Sequence, residues 1–176
     1  MASVAQASDY GCLLTLDPGL RGLGVGIFLH GKLTATDAIC ADEGEDANQQ
    51  RAIGTAAAAW FREFRPGRWA AEDTALVFER MVLRRGRLDA VGSIIELSTV
   101  SGVVLGLVSA AGVISVEPAA WTGGRSKETV NHVRIRTRLD EAETAVLETA
   151  LRSCIPRHRI EVLDAVGIGL YALGRL

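Results

Sequence analysis

The sequence predicts an α/β domain: a mixed five-stranded sheet, three strands antiparallel and then two parallel, flanked by helices. Three observations carry that prediction. The N-terminal part holds three short strand-like runs broken only by Pro18-Gly19 and His30-Gly31, the pattern of a hairpin meander. Two more short apolar runs, at 75–79 and 113–117, each follow a segment of helical length, which is how parallel strands are joined. The final third reads as helical throughout.

Residues 12–17 do not alternate apolar and polar, so this first strand is expected to be buried on both faces. Residues 23–29 form the second strand, His30-Gly31 a tight turn, and 32–39 the third, antiparallel strand. After an acidic loop (Asp42, Glu43, Glu45, Asp46), Asn48 can cap a helix running to Phe64, ended by Pro66-Gly67. The strand at 75–79 leads through a basic, glycine-containing loop into a helix over 91–111. The strand at 113–117 is stopped by Pro118. Ser126 can cap a basic helix over 127–138. Asp140 with Glu143 has the spacing of a capping box for 141–153, Pro156 breaks that helix, and a last one covers about 158–174.

A chain of 176 residues, 48% of them hydrophobic, has material for one well-packed domain, expected over 12–176 after a disordered leader over 1–11. That leader has no basic segment followed by an apolar core, so it is not a secretory signal. The apolar stretch 91–116 contains Glu96, hydroxyl residues and glycines, which suits a buried helix and strand rather than a membrane span. Cys12, Cys40 and Cys154 are scattered and form no Cys-x-x-Cys pair. A disulfide framework or zinc site is therefore not expected, and a reducing cytoplasm fits. The net charge of −2 hides a segregation. Arg80, Arg84, Arg85 and Arg87 form one basic cluster, and Arg125, Lys127, Arg134, Arg136 and Arg138 another. Local fields of this kind steer anionic ligands whatever the global sum.

The chemistry is concentrated in four acids. Asp17 closes the first apolar run, Glu79 closes Ala75-Leu76-Val77-Phe78, and Glu161 and Asp164 interrupt the apolar C-terminal segment. A carboxylate inside a hydrophobic pattern needs a compensating partner. Glu161 and Asp164, three apart, share a helix face. Hard oxygens without thiolates suit Mg²⁺ or Mn²⁺, and phosphodiester hydrolysis commonly uses two such ions about 3.5–4 Å apart. Each acid also has an ordinary reading: Asp17 bonded into its Pro-Gly turn, Glu79 paired with Arg80 or Arg84, and Glu161 paired with Arg157 on a polar helix edge.

The segments around Leu16-Asp17-Pro18-Gly19, Val77-Phe78-Glu79-Arg80 and Glu161-Val162-Leu163-Asp164, with Pro118-Ala119-Ala120-Trp121-Thr122-Gly123-Gly124 before a basic helix, resemble in type and order the RuvC-type Holliday junction resolvases. The resemblance covers 12–176 and implies the RNase H-like fold and a metal-dependent endonuclease resolving four-way junctions with paired nicks. It implies two Mg²⁺ or Mn²⁺ per site held by Asp17, Glu79, Glu161 and Asp164. Lys127 would contact the scissile phosphate, and Arg80, Arg84, Arg85, Arg87, Arg125, Lys127 and Arg134 are the candidate DNA contacts. A two-fold substrate calls for a homodimer, for which the 91–111 helix (Ile95, Val100, Val103, Val104, Leu107) is the candidate interface. Bacterial or phage-infected cytoplasm is the implied setting. Two departures stand out. Glu161 occupies a position where the family usually has Asp or His, and Val82 stands where an aromatic wedge is common.

Two other readings compete: a nucleotide-binding protein of the actin and sugar-kinase type, which shares the sheet topology, and a non-catalytic DNA-binding module of the same fold. His132 and His158 read as surface or capping histidines, and Trp60, Trp69 and Trp121 as packing residues. Gly22, Gly24 and Gly26 are not a dinucleotide fingerprint, because they lie within a strand pattern.

Overall fold

The computed structural model describes residues 4–19, 22–40, 47–64, 71–80, 91–126 and 132–176. Strands β1 (Cys12–Pro18), β2 (Gly22–Leu29), β3 (Lys32–Cys40), β4 (Thr74–Glu79) and β5 (Gly112–Val116) make one sheet in the order β3-β2-β1-β4-β5. β1 pairs antiparallel with β2 and β2 with β3, while β1–β4 and β4–β5 are parallel. This is the expected mixed sheet. Its hairpin turns where expected: His30 and Gly31 both have positive φ, 47° and 77°, as a two-residue turn matching strand twist requires.

Strand alternation divides the interior into two cores. Leu14, Leu16, Val25, Ile27 and Leu76 point to the face covered by α1 (Ala47–Phe64) and α2 (Val91–Leu107). Leu13, Phe28, Val77 and Ile114 point to the face covered by α6 (Arg159–Ala172), with α5 (Glu141–Ser153) and α4 (His132–Thr137) beside it. β1 is buried from Cys12 to Pro18, which explains its unalternating run. α6 lies almost on the backbone of β2. A Cβ on Gly24 would overlap the carbonyl of Glu161, and one on Gly22 would come within 2.7 Å of His158 Nδ1. The glycines of β2 let the helix approach that closely.

Away from that contact, the capping box of α5 forms as predicted. Glu143 N–H donates to Asp140 Oδ1 at 2.9 Å and Asp140 N–H to Glu143 Oε2 at 3.0 Å. Glu143 is 1% exposed. Oε1 accepts from Leu33 N–H at 2.8 Å, and Arg175 donates to both oxygens at 2.7 Å. Burial pushes this carboxyl up, but Arg175 and the two backbone donors outweigh it and hold it below its ordinary value.

Four expectations need correction. Val4–Asp9 form a 3₁₀ turn instead of belonging to a disordered leader. Ala7 is fully buried there, and Gly11 N–H donates to Asp73 Oδ1 at 2.8 Å. α2 ends at Leu107 rather than 111, because Ala111 N–H turns away to the carbonyls of Ala71 and Thr74. The segment Pro118–Thr122, to which the sequence assigned no element of its own, is a short helix, α3. Finally, Val100 and Val104 of the expected interface are buried against the sheet, and Val103 sits over Gly54 of α1. Ile95, Leu105 and Leu107 are the large apolar residues α2 leaves exposed beyond its first turn. Trp69 and Val82 lie outside the described residues. Among those residues, no helix is long and apolar enough to cross a membrane.

Candidate active site

Asp17 and Glu79 stand at the ends of neighbouring strands, and Glu161 and Asp164 lie on the helix packed against that sheet. β1 and β4 run parallel, with Leu16 opposite Phe78 as their last paired rung, so Asp17 and Glu79 follow side by side at the two C-terminal strand ends. Alternation turns both toward α6, since Leu13 and Val77, of the same parity, belong to that core. Asp17 pairs with Gly24 across β1–β2, and Gly24 abuts the backbone of Glu161. Glu161 stands in the first turn of α6, and a Cβ on Gly19 would meet its Oε1 at 3.3 Å. Asp164 is one turn further on, 1% exposed; Asp17 is 7% exposed.

Each acid of α6 and β4 has a neighbour that the sequence did not single out. Trp121 Nε1–H of α3 donates to Glu79 Oε2 at 2.6 Å, while its ring is buried beneath α6. His132 Nε2, at the start of α4, lies 3.3 Å from Asp164 Oδ1. His158 Nδ1 lies 3.7 Å from Glu161 Oε1. His158 is thus neither surface nor simple cap, and it is almost fully buried. Trp121 is a packing residue, as expected, but its ring nitrogen also orients an acid. Pro118 at the helix start and Gly123 in left-handed conformation at its end bracket α3; that Pro-first, Gly-last spacing was the available signal. Nothing in the local pattern marked the two histidines, because their partners are distant in sequence or buried by β2.

Among the described residues, no three His, Cys, Asp or Glu side chains converge into a group able to hold a metal ion as they stand. The donor chemistry nevertheless fits a hard divalent cation. The four acids offer carboxylate oxygens and no thiolate. Glu161 Oε2 is also a buried acceptor with no hydrogen-bond partner among the described residues, a costly arrangement that a bound cation relieves.

The predicted basic residues are only partly within view. Arg80 is exposed and 3.4 Å from Glu117 Oε1. Arg125 is exposed just beyond α3, and Arg134 is half-buried on α4. Lys127, Arg84, Arg85 and Arg87 lie outside the described residues. Beside Glu79, between the end of β4 and α2, a cavity of about 340 Å³ is lined by Phe78, Arg80, Ser98, Ser101 and Leu105 among others.

The strand order, with acids at the ends of its two central strands and on the helix crossing them, defines the RNase H-like fold. Within that class the fold is the one found in the RuvC-type Holliday junction resolvases. The chain is similar to the structure of T. thermophilus RuvC in complex with a Holliday junction substrate, at 20% identity and TM-score 0.61, covering 94% of this chain and 96% of that one. A second Thermus thermophilus RuvC structure matches at 19% identity and TM-score 0.55, covering 93% and 95%. The yeast mitochondrial Holliday junction resolvase Ydc2 matches at 9% identity and TM-score 0.56, covering 98% and 85%. No protein-family model matches the sequence, and no curated protein matches it significantly.

Proposed function

We propose that the protein is a divalent-metal-dependent endonuclease that resolves four-way DNA junctions by hydrolysing phosphodiesters in paired nicks. What supports this reading is Asp17 and Glu79 at the ends of the parallel neighbours β1 and β4, with α6 packed on the same sheet and its Glu161 Oε2 buried without a hydrogen-bond partner among the described residues. The likeness to a RuvC bound to a Holliday junction supports branched DNA as the substrate class.

In this reading the four acids hold two Mg²⁺ or Mn²⁺ ions. Bound there, the ions would supply an activated water and neutralise the departing oxygen. The chain's own contribution is placement. Asp17 and Glu79 are fixed by parallel strand ends, and Trp121 holds one oxygen of Glu79. Asp164 is screened from bulk water with His132 beside it. Lys127 is assigned to the scissile phosphate, and Arg80, Arg84, Arg85, Arg87, Arg125 and Arg134 to the DNA backbone, where charge neutralisation supplies salt-dependent affinity. The working form is a homodimer in the cytoplasm of a bacterial or phage-infected cell, because two symmetric cuts need two fixed sites. Its contact is assigned to the apolar face of α2 around Ile95, Leu105 and Leu107.

One assay tests the proposal. Purified protein is given four-way, three-way, flap and linear duplex DNA with Mg²⁺, Mn²⁺ or EDTA. Metal-dependent, symmetric incision of the four-way substrate is expected. Tight junction binding with no incision under any metal would favour the non-catalytic module, a reading supported by the unconverged acids. Leu107→Glu is expected to give folded monomers by light scattering that nick without paired cutting. Val103→Glu, set over Gly54, should instead destabilise the fold. A wild type that is monomeric and still cuts symmetrically overturns the dimer.

A further inference from the structure

We propose that His158 is a positioning residue for Glu161: it offers a fixed N–H to one carboxylate oxygen so that the other is presented to a divalent cation. The inference rests on the metal-site reading above and deepens it by giving the departure at Glu161 a structural counterpart.

The argument starts from a tautomer. Arg157 Nε–H donates to His158 Nε2 at 3.1 Å. A guanidinium has no acceptor, so Nε2 must receive that bond. The ring proton of the neutral imidazole therefore resides on Nδ1. Nδ1 is aimed at the site: it is 3.7 Å from Glu161 Oε1, with the two residues one helical turn apart. His158 is 2% exposed and its Nδ1 has no hydrogen-bond partner among the described residues. The adjacent Glu161 Oε2 is in the same condition. A buried ring N–H beside this carboxylate and a buried oxygen on it, each without a partner among the described residues, are both costly. A modest rotation of the carboxylate closes Oε1 onto Nδ1–H, leaving Oε2 directed to a cation.

The strands are shaped for this pair. A Cβ on Gly22 would strike His158 Nδ1 at 2.7 Å and Cε1 at 2.9 Å, and one on Gly19 would press Glu161 Oε1 and Cγ at 3.3 and 3.4 Å. Gly19 and Gly22 are themselves tied by Gly19 N–H donating to Gly22 O at 2.8 Å. Gly19 and Gly22 thus border the space filled by an imidazole and a carboxylate. Where an aspartate reaches its ion on a short tether, a glutamate has one more rotatable bond and needs a hold. Partners behind a ligand of this kind typically change metal affinity about tenfold to a hundredfold when removed.

The test is calorimetric titration of Mn²⁺ into the full chain without DNA, alongside thermal unfolding of each variant. His158→Leu is expected to weaken binding at least tenfold while remaining folded. His158→Asn, whose amide N–H occupies the place of Nδ1–H, should recover most of that loss. Arg157→Met changes an exposed side chain and releases the tautomer, so it should give a smaller, several-fold weakening with an unchanged unfolding temperature. If His158→Leu does not fold, the Asn and Met variants decide. Wild-type affinity in a folded His158→Leu, or in Arg157→Met, overturns the proposal, as does an Asn variant that folds but binds no better than Leu. Asp17→Asn is the control. Unchanged Mn²⁺ affinity in it overturns the four-acid site, and this inference with it, whereas a loss there with none at His158 removes only the positioning role.

Discussion

Glu143 and Glu161 are both drawn into the protein, yet their surroundings are opposites. Glu143 receives donors on both oxygens: Leu33 and Asp140 amides and both terminal nitrogens of Arg175. Glu161 has an imidazole out of hydrogen-bond range and one oxygen with no partner among the described residues. The first carboxylate joins β3, α5 and the C-terminal residues into one unit. The second stands at the mouth of β1 with unused acceptor capacity. A saturated buried acid holds structure together, and an unsaturated one costs stability that only a ligand returns.

The largest effect that can sharpen this contrast lies among the other candidate metal ligands. Asp17→Asn, Glu79→Gln and Asp164→Asn should each lower junction cleavage by about three orders of magnitude. Junction affinity should stay within a few-fold, and thermal stability should be unchanged or higher without metal. Cleavage at the wild-type rate in any of them removes that residue from the site. Next comes the saturated end. Glu143→Gln leaves Arg175 uncompensated and should cost about 3 kcal/mol in urea unfolding, with no change in the cleavage rate of the folded enzyme. A matching loss in Asp164→Asn would erase the distinction.

The same pair gives a pH signature. Glu143 is held below its ordinary value of 4.5 in the folded chain. Its stabilising contribution is therefore complete above that value and disappears as pH falls through the lowered one. Denaturation midpoints measured between pH 6 and 2.5 should drop on the acid side for the wild type and far less for Glu143→Gln. The smallest effect sharpens the comparison from the site side. Trp121→Phe keeps the buried ring but deletes the N–H that holds Glu79 Oε2, so cleavage should slow by about tenfold. A rate unchanged within error would mean that Glu79 is held by the strand alone.

What could be read in the sequence followed the range of the interactions involved. The five strands, the His30-Gly31 turn and the Asp140–Glu143 box depend on neighbours a few residues away, and they stand where local pattern put them. The shared oddity of Asp17, Glu79, Glu161 and Asp164, acids ending or interrupting an apolar run, was legible; Asp17 and Glu79 do end neighbouring strands, but among the described residues no three of the acids converge. The helix α3 was missed because five residues give little periodicity. The roles of Trp121, His132 and His158 were hidden for another reason. That of His158 depends on how closely α6 lies on β2, which glycines at 22 and 24 decide, and those of Trp121 and His132 on partners 42 and 32 residues away. The apolar face of α2 was likewise legible as apolar but not as divided: Val100 and Val104 turn inward while Ile95 and Leu107 remain outside.

The two halves of the acid cluster come from opposite ends of the chain, Asp17 on β1 and Glu161 and Asp164 on α6. Contacts between such distant segments are the slowest to form. During synthesis, β1 to β3 can pair while α6 is still unmade, and the glycine-lined surface of β2 waits without its helix. If the proposed cleavage is correct, it therefore has to await the completed fold. The same dependence also makes Mn²⁺ affinity a reporter of refolding. A chain that has recovered its hairpins but not docked α6 should show native-like strand signals and bind no ion tightly.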